Sequence, residues 1–118
     1  GVTEIDNYAF SGCSSLASVA IPETVTRIGY RVFNNCTALA SIVIPAGVTT
    51  LEESTFYGCS SLASVSLVEG LTRIGYQAFY NCSALQNITI PAGVTAIRQS
   101  AFYGCIMLAR VSLPDSLT

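Results

Sequence analysis

The sequence repeats itself at a fixed interval of 23 residues. Phenylalanine recurs at that interval, and a cysteine follows each phenylalanine three positions later. The pairs are Phe10 and Cys13, Phe33 and Cys36, Phe56 and Cys59, Phe79 and Cys82, and Phe102 and Cys105. A period of this length is typical of solenoid proteins, in which one unit is too small to fold alone and buries its apolar side chains against the next. The sequence therefore predicts a stack of equivalent coils.

The repeat also sets the domain organisation. Residues 1–118 form a single array of five units followed by the start of a sixth. The units span residues 2–24, 25–47, 48–70, 71–93 and 94–116. The array begins and ends within the pattern, so we expect the chain to be a fragment of a longer array. Neither end carries a polar capping unit, which predicts flanking repeats or end-to-end self-association through the uncapped ends.

Each unit contains two extended segments. In the first unit, Val19 and Ile21 alternate with small residues, which predicts a short strand. Pro22 ends that strand because proline has no N–H group for a strand ladder. In the next unit, residues 25–28 supply the second extended segment after a turn, and residues 29–34 are expected to form a short helical turn. The same order recurs along the chain.

The position before each cysteine is occupied only by glycine or asparagine. The residues are Gly12, Asn35, Gly58, Asn81 and Gly104. These two residue types tolerate a left-handed backbone best, so we expect a positive φ angle at the end of each helical turn. On this basis Gly58→Val should destabilise the protein strongly, whereas Gly58→Asn should be mild.

The second unit closely resembles the BspA-like class of leucine-rich repeats. Residues 25–45 carry its motif as Val-Thr-Arg-Ile-Gly-Tyr-Arg-Val-Phe-Asn-Asn-Cys-Thr-Ala-Leu-Ala-Ser-Ile-Val-Ile-Pro, and the resemblance covers the whole chain. Departures are Val32 and Thr55, where alanine is usual, and Val68, where proline is usual. The resemblance implies a repeat solenoid of α+β or mostly β class. Its right-handed curved coil would have parallel β-strands on the concave side, with short second strands and short helical turns on the other.

The composition excludes several classes of partner. The chain contains no lysine, histidine or tryptophan, only 10% of its residues are charged, and its formal net charge is −2. Nucleic acid and anionic lipid both require a basic surface, so neither is an expected partner. No apolar stretch approaches the ~20 residues of a membrane span, so we expect no membrane insertion in this segment.

The sequence offers no catalytic constellation. A cysteine nucleophile would lack the histidine that usually activates it. Glu52 and Glu53 are the only adjacent carboxylates, and neighbours in sequence seldom face each other. We therefore expect no enzyme activity, no catalytic residue and no cofactor.

The five cysteines have three interpretations. Their column lies between apolar columns, which favours buried, unreactive thiols that act as small core residues. Equivalent cysteines in neighbouring coils are expected about 5 Å apart, within the range that a disulfide accepts, so incidental disulfides are a second interpretation. Zinc is disfavoured because it requires close ligand pairs such as Cys-x-x-Cys, which the sequence lacks.

Two exposed surfaces are candidates for ligand contact. If Val19 and its equivalents point inward, the strands expose small and nearly neutral side chains on the concave face. The predicted contact residues are Ser18, Ala20, Ser41, Val43, Ser64, Ser66, Asn87, Thr89, Arg110 and Ser112. Tyr57, Tyr80 and Tyr103 share one column and predict a lateral tyrosine stripe, which serves either packing between coils or ligand binding.

The resemblance also implies a location and a role. BspA-like repeats occur in large surface or secreted proteins of bacteria and some protists, several of which attach to host matrix proteins or to other cells. The expected function is thus a non-catalytic protein-binding or adhesion module, whose partner is a host matrix protein or another cell-surface protein. The alternative is a structural spacer or self-assembling solenoid without a ligand of its own.

Overall fold

The computed structural model describes residues 2–67 and 69–112, without the side chains of Arg110 and Ser112. These residues contain nine short β-strands and no helix, and thus no helix that is long and apolar enough to cross a membrane. The strands are β1 (Glu4–Ile5), β2 (Arg27–Ile28), β3 (Ser41–Val43), β4 (Thr50–Leu51), β5 (Ser64–Ser66), β6 (Arg73–Ile74), β7 (Asn87–Thr89), β8 (Ala96–Ile97) and β9 (Arg110–Ser112). Val68 and the predicted start of a sixth unit lie outside the described residues.

The strands form two parallel ribbons along the stack. The three-residue strands β3, β5, β7 and β9 make the first, which we call the concave ribbon, and the two-residue strands make the second ribbon. Strand ladders join β3 to β5, β7 to β9, β1 to β2, and β4 through β6 to β8. Partner residues are 23 positions apart, as Ile42 and Val65 are in the concave ribbon and Ile74 and Ile97 in the second ribbon. One sequence repeat is therefore one turn of the solenoid.

The predicted short helical turns are hydrogen-bonded turns instead. In the second coil, alternate N–H groups donate to the next coil rather than along a helix. Arg31 N donates to Glu53 O at 3.0 Å, and Asn35 N donates to Tyr57 O at 2.7 Å. The physical reason is that the backbone is left-handed at both Arg31 (φ 55°) and Asn35 (φ 58°), and an α-helix cannot pass through such residues.

The glycine and asparagine column has the predicted positive φ angle. The angles lie between 58° at Asn35 and 78° at Gly104. A second column, four positions earlier in each coil, is also left-handed, and the sequence analysis did not anticipate it. Its residues are Tyr8, Arg31, Ser54, Gln77 and Ser100. This column mixes residue types with no special preference for that backbone, so composition gave no signal.

A continuous apolar core runs through the stack. Phenylalanine rings of neighbouring coils stack in parallel, and Phe33 and Phe56 have ring centroids 5.5 Å apart with an interplanar angle of 3°. Phe33, Phe56 and Phe79 are fully buried, whereas Phe10 and Phe102 in the end coils are only partly buried. The core is thus complete in the middle coils and open at both ends of the described stack. Like residues lie above like residues, as the 23-residue period predicted.

Candidate functional site

The concave ribbon exposes the predicted contact residues. The middle residues of β3, β5 and β7 point into the core, since Ile42, Val65 and Ile88 are buried, whereas Val111 of β9 in the last described coil is 37% exposed. The flanking side chains are exposed; they are Ser41, Val43, Ser64, Ser66, Asn87 and Thr89, together with Ser18 and Ala20 at the equivalent positions of the first coil. The side chains of Arg110 and Ser112 lie outside the described residues. Contact with a ligand stays a prediction for the whole set.

Parallel pairing makes this face flat and repetitive. Ser41 lies opposite Ser64, and Val43 opposite Ser66. Val43, 59% exposed, is the largest apolar side chain that the described part of this face presents. The described side chains of this face include none of the tryptophan, tyrosine and arginine anchors that carry most binding energy in compact interfaces. It is therefore suited to an extended partner that makes many small contacts.

A groove of about 200 Å³ interrupts this face between β5 and β7. Its lining residues are Val65, Ser66, Leu67, Asn87, Ile88 and Thr89. The two strands are neighbours, but the backbone bond from Gln86 N to Ala63 O is 3.5 Å long, against 2.9 Å from Ala63 N to Ala40 O. The sequence analysis missed the groove because the residue columns on either side of it are continuous.

The tyrosine stripe is a stack of rings. The ring centroids of Tyr57 and Tyr80 are 4.7 Å apart, with an interplanar angle of 1°. Those of Tyr80 and Tyr103 are 4.9 Å apart, with an interplanar angle of 16°. Partial desolvation, reinforced by the hydroxyls of Tyr57 and Tyr103, raises the pKa of Tyr80. The rings thus pack coil against coil. Ligand binding by Tyr103, which is 62% exposed, stays a prediction.

The cysteines form a column of free thiols in the core. Cys36, Cys59 and Cys82 are buried, and Cys13 and Cys105 in the end coils are partly buried. Each thiol from Cys36 onward donates a hydrogen bond to the phenylalanine carbonyl of the preceding coil, as Cys59 Sγ does to Phe33 O at 3.0 Å. Cys36, Cys59 and Cys82 thus pack as small core residues, whereas Cys13 and Cys105 are less enclosed.

Burial controls the chemistry of these thiols. Desolvation raises the pKa of Cys59 from 9.0 to about 12, with a smaller contribution from the neighbouring Cys36. Burial likewise raises the pKa of Cys36, Cys82 and Cys105. Because the thiolate is the nucleophile and the metal ligand, buried thiols of this kind are poor at both tasks. The described part of the chain contains no group of three or more side chains that could hold a metal ion.

The two adjacent glutamates belong to a charged cleft that the sequence analysis did not find. The cleft, which we call the Gly75 cleft, has a volume of about 440 Å³ and opens on the second ribbon. Its lining residues are Thr50, Leu51, Glu52, Glu53, Arg73, Gly75, Tyr76, Arg98 and Gln99. Glu53 Oε1 lies 3.6 Å from Arg31 Nη2, the only ion pair among the described residues. The sequence signal was present, since Gly75 alternates with charged residues in its column.

A second cleft lies at the first coil. It has a volume of about 400 Å³. Its lining is largely apolar and comprises Val2, Glu4, Ile5, Asp6, Ala9, Phe10, Val19, Ala20, Ile21 and Pro22. The apolar residues Ile5, Phe10 and Val19 among them occupy columns that are buried in the middle coils, so the cleft is the open end of the core.

Known proteins share this architecture. A leucine-rich repeat protein of T. pallidum is 38% identical with a TM-score of 0.93, and the match covers 96% of this chain and 53% of that one. A leucine rich cell surface protein of Faecalibacterium prausnitzii is 44% identical with a TM-score of 0.92, covering 95% of this chain and 30% of that one. A leucine-rich repeat protein of Bacteroides ovatus is 42% identical with a TM-score of 0.93, and the match covers 98% of this chain and 30% of that one.

The chain thus spans about half or less of the length of these solved relatives. None of the curated proteins matches it. The family model of the BspA type leucine rich repeat region matches residues 1–118 with six copies. The stacked phenylalanines, the buried cysteine column and the parallel two-residue and three-residue strands are what that repeat predicts, and the chain belongs to the BspA-type leucine-rich repeat family.

Proposed function

We propose that the protein is a non-catalytic protein-binding or adhesion module that engages its partner on the concave ribbon. The observation that carries this proposal is the strict alternation of the described strands. In β3, β5 and β7 the middle residue is buried, and the residues on either side are exposed and in register. Such a ribbon offers an extended partner a repeated surface with few side chains to reorganise on binding.

The scaffold beneath this ribbon is ordered by its own contacts. Phe56 and Phe79 stack with centroids 5.3 Å apart, and Leu62 and Leu85 are fully buried below the ribbon. A close-packed interior of this kind holds the strand positions fixed. The partner therefore meets a preformed surface, which lowers the entropic cost of association.

A surface location is the second part of the proposal. The similar protein of F. prausnitzii is described as a leucine rich cell surface protein. By analogy, we propose that this chain belongs to a cell-surface or secreted protein. Its partner would then be a host matrix protein or another cell-surface protein, rather than nucleic acid or a cofactor-dependent substrate.

Binding to immobilised matrix proteins such as collagen and laminin, measured by biolayer interferometry, tests the proposal. A concave-face variant, Ser64→Arg, should weaken a saturable interaction by about tenfold, because a bulky charge disrupts a flat and neutral contact. Ser60→Arg changes an exposed serine of the same coil outside the ribbon and should alter the affinity by less than about twofold. Equal losses in both variants would show that the partner does not use the concave ribbon.

A structural spacer or self-assembling solenoid is the second candidate. Its support is the apolar cleft of the first coil, lined by the partly buried Ile5, Phe10 and Val19, and it requires that no further repeat packs there. A second copy of the chain that stacked on this end would bury the cleft and continue both ribbons. An edge that is left open in this way is a template for pairing.

Static light scattering across a wide concentration range tests the second candidate. End-to-end association predicts a molar mass that rises with concentration, and Ile5→Glu should abolish that rise, because it places a charge in the apolar cleft. A constant monomer mass for the unmodified chain would exclude self-assembly through this end. Saturable matrix binding by such a monomer would favour the first candidate.

A further inference from the structure

Two glycines of the second ribbon occupy equivalent positions two coils apart. Gly29 N donates to Ile5 O at 2.9 Å, and Gly75 N donates to Leu51 O at 2.8 Å, so each glycine lies against the backbone of the preceding coil. A Cβ at either position would collide with that backbone, at 2.7 Å from Asn7 N for Gly29 and 2.7 Å from Leu51 O for Gly75, so only glycine allows the close approach. We call the surface site beside each glycine its notch. The two notches have the same backbone but differ in what fills them.

Asn7 fills the notch at Gly29. Its side-chain Oδ1 accepts a hydrogen bond from Tyr30 N at 3.0 Å and a longer one from Arg27 Nη2 at 3.4 Å. A Cβ on Gly29 would collide with that same oxygen. The first notch is therefore a site for a carbonyl-type oxygen, and a residue of the chain already occupies it.

The notch at Gly75 has the same donors and no such occupant. Arg73 and Tyr76 stand where Arg27 and Tyr30 stand in the first notch, and Glu53 stands where Asn7 does. The Glu53 carboxylate instead approaches Arg31 at 3.6 Å. No acceptor among the described residues bonds to Tyr76 N, and the three atoms nearest to a Cβ on Gly75 would all be backbone atoms. No side-chain oxygen therefore takes the place in the Gly75 cleft that Asn7 Oδ1 takes beside Gly29.

The charges around the Gly75 cleft favour an anion. In the second ribbon, Arg73 lies between Thr50 and Ala96, neither of which is charged, whereas Arg27 lies opposite Glu4. Arg98 adds a second guanidinium group to the lining of the cleft. Glu52 also lines the cleft and offsets part of this positive charge. Glu53 lines the cleft as well and pairs with Arg31 at its edge, so three guanidinium groups and two carboxylates lie in and beside the cleft.

We propose that the Gly75 cleft binds a carboxylate group. One oxygen accepts a hydrogen bond from Tyr76 N, in the position that the Asn7 amide oxygen takes in the first notch, and the other oxygen lies between Arg73 and Arg98. A charged acceptor binds such donors more strongly than a neutral amide does. The carboxylate comes either from an acidic polypeptide or from a small organic acid. The site lies on the second ribbon and does not depend on the partner proposed for the concave ribbon.

Nuclear magnetic resonance of the ¹⁵N-labelled chain tests this proposal with two probes, sodium acetate and a terminally blocked tetraglutamate peptide. A bound carboxylate predicts a saturable downfield shift of the Tyr76 amide proton, and the Tyr30 amide should be unaffected because Asn7 already bonds to it. A shift with both probes, at least about tenfold tighter for the peptide, identifies an acidic polypeptide as the source. Similar affinities identify a small acid. Titrations in which neither probe shifts Tyr76, or in which Tyr30 shifts equally, overturn the proposal.

Three variants separate a specific site from a general charge effect. Arg73→Gln should weaken binding of the better probe by about tenfold, because it removes a charged donor. Arg27→Gln removes an exposed arginine of the same column beside the filled notch and should change the affinity by less than about twofold. Glu53→Asn should reproduce the arrangement of Asn7, with the new amide oxygen accepting a hydrogen bond from Tyr76 N. Hydrogen exchange at Tyr76 N should then slow, and binding of the carboxylate should be lost. Equal effects of Arg73→Gln and Arg27→Gln, or unchanged binding by Glu53→Asn, would contradict the assignment.

Discussion

The side-chain amide oxygen of Asn35 occupies the space that a Cβ on Gly58 would fill in the next coil. Asn81 and Gly104 have the same relationship two coils further along. Both residue types in this column have a positive φ angle, which is 58° at Asn35 and 73° at Gly58. Asparagine and glycine therefore alternate along the column because each asparagine amide uses the room that the following glycine leaves.

This relationship predicts different costs for the same substitution in two coils. Gly12 and Gly58 have nearly equal φ angles, 74° and 73°, but a Cβ on Gly12 meets no atom within 4 Å. Gly12→Ala should cost about 1 kcal/mol of unfolding free energy from backbone strain alone. Gly58→Ala should cost roughly 1 kcal/mol more, because the Asn35 amide must move. Urea unfolding of both variants measures the difference.

The background variant Asn35→Ala provides the control for this prediction. Without the amide, Gly58→Ala should cost no more than Gly12→Ala, and the double-mutant cycle should give a coupling of about 1 kcal/mol. The left-handed backbone alone would tolerate Gly58→Asn, but the new side chain meets the Asn35 amide. We therefore expect this variant to lose more unfolding free energy than its φ angle alone would cost. A coupling of zero would show that the amide moves without cost.

Cys59 predicts a loss of stability at alkaline pH. Burial raises the pKa of its thiol from 9.0 to about 12, so between these values the folded chain holds a proton that the unfolded chain has released. The stabilisation is complete below pH 9 and is lost as the pH rises towards 12. The free energy of unfolding should therefore fall with a slope of up to about 1.4 kcal/mol per pH unit for this one thiol.

The variant Cys59→Ala isolates that contribution. Its stability at pH 7 should be lower by roughly 1–2 kcal/mol, from the lost packing and the lost hydrogen bond to Phe33 O. Its slope above pH 9 should be shallower than that of the unmodified chain, since one titrating thiol is gone. Urea unfolding between pH 7 and pH 10.5 gives both values. Identical slopes would mean that Cys59 ionises as readily in the folded chain as in the unfolded chain.

The 23-residue period was sufficient to predict the stacking, the core and the inward direction of Val19 and its equivalents. The period fixes which side chains are neighbours, and identical apolar neighbours define the core. It does not determine backbone conformation where side chains are mixed. Arg31, Ser54 and Gln77 have positive φ angles only because the turn packs against the next coil, and this tertiary constraint turned a predicted helical turn into a non-helical one.

The candidate sites likewise divide into one that the sequence predicted and one that it did not. The exposure of Ser41 and Ser64 follows from strand alternation and was predicted. The Gly75 cleft depends on a difference between Asn7 and Glu53, two residues of one column whose side chains point to different partners. A consensus repeat conceals such a difference, because it assigns one typical residue to all equivalent positions. The unusual sites of a solenoid are therefore found by comparing its coils with one another.

Removal of one ring from the tyrosine stripe should destabilise the stack. Tyr80 stacks on both Tyr57 and Tyr103, so Tyr80→Ser is expected to cost about 1–2 kcal/mol of unfolding free energy. Tyr80→Phe keeps both ring contacts and should cost less than about 0.5 kcal/mol. Thermal and urea unfolding compare the two variants. Equal stability of Tyr80→Ser and the unmodified chain would assign the stripe to a role other than packing.

Ser54 is the position where a substitution should stabilise the protein. Its side chain is 2% exposed, its hydroxyl has no hydrogen-bond partner among the described residues, and its φ angle is 56°. A buried hydroxyl without a partner costs about 1–3 kcal/mol, and glycine removes both that cost and the left-handed strain. The greater flexibility of glycine in the unfolded chain offsets part of the gain, so Ser54→Gly should raise the unfolding free energy by about 1 kcal/mol.

Ser100 is the matched control, because it occupies the same column with a φ angle of 60° but is only partly buried. Its hydroxyl reaches solvent, so Ser100→Gly relieves the backbone strain without removing a desolvated group. The relief of strain and the added freedom of the unfolded chain should nearly cancel. The unfolding free energy of Ser100→Gly should therefore stay within about 0.5 kcal/mol of that of the unmodified chain. Urea unfolding of both variants gives the difference that is due to the buried hydroxyl alone. A gain in Ser100→Gly as large as that in Ser54→Gly would attribute the effect to the backbone instead.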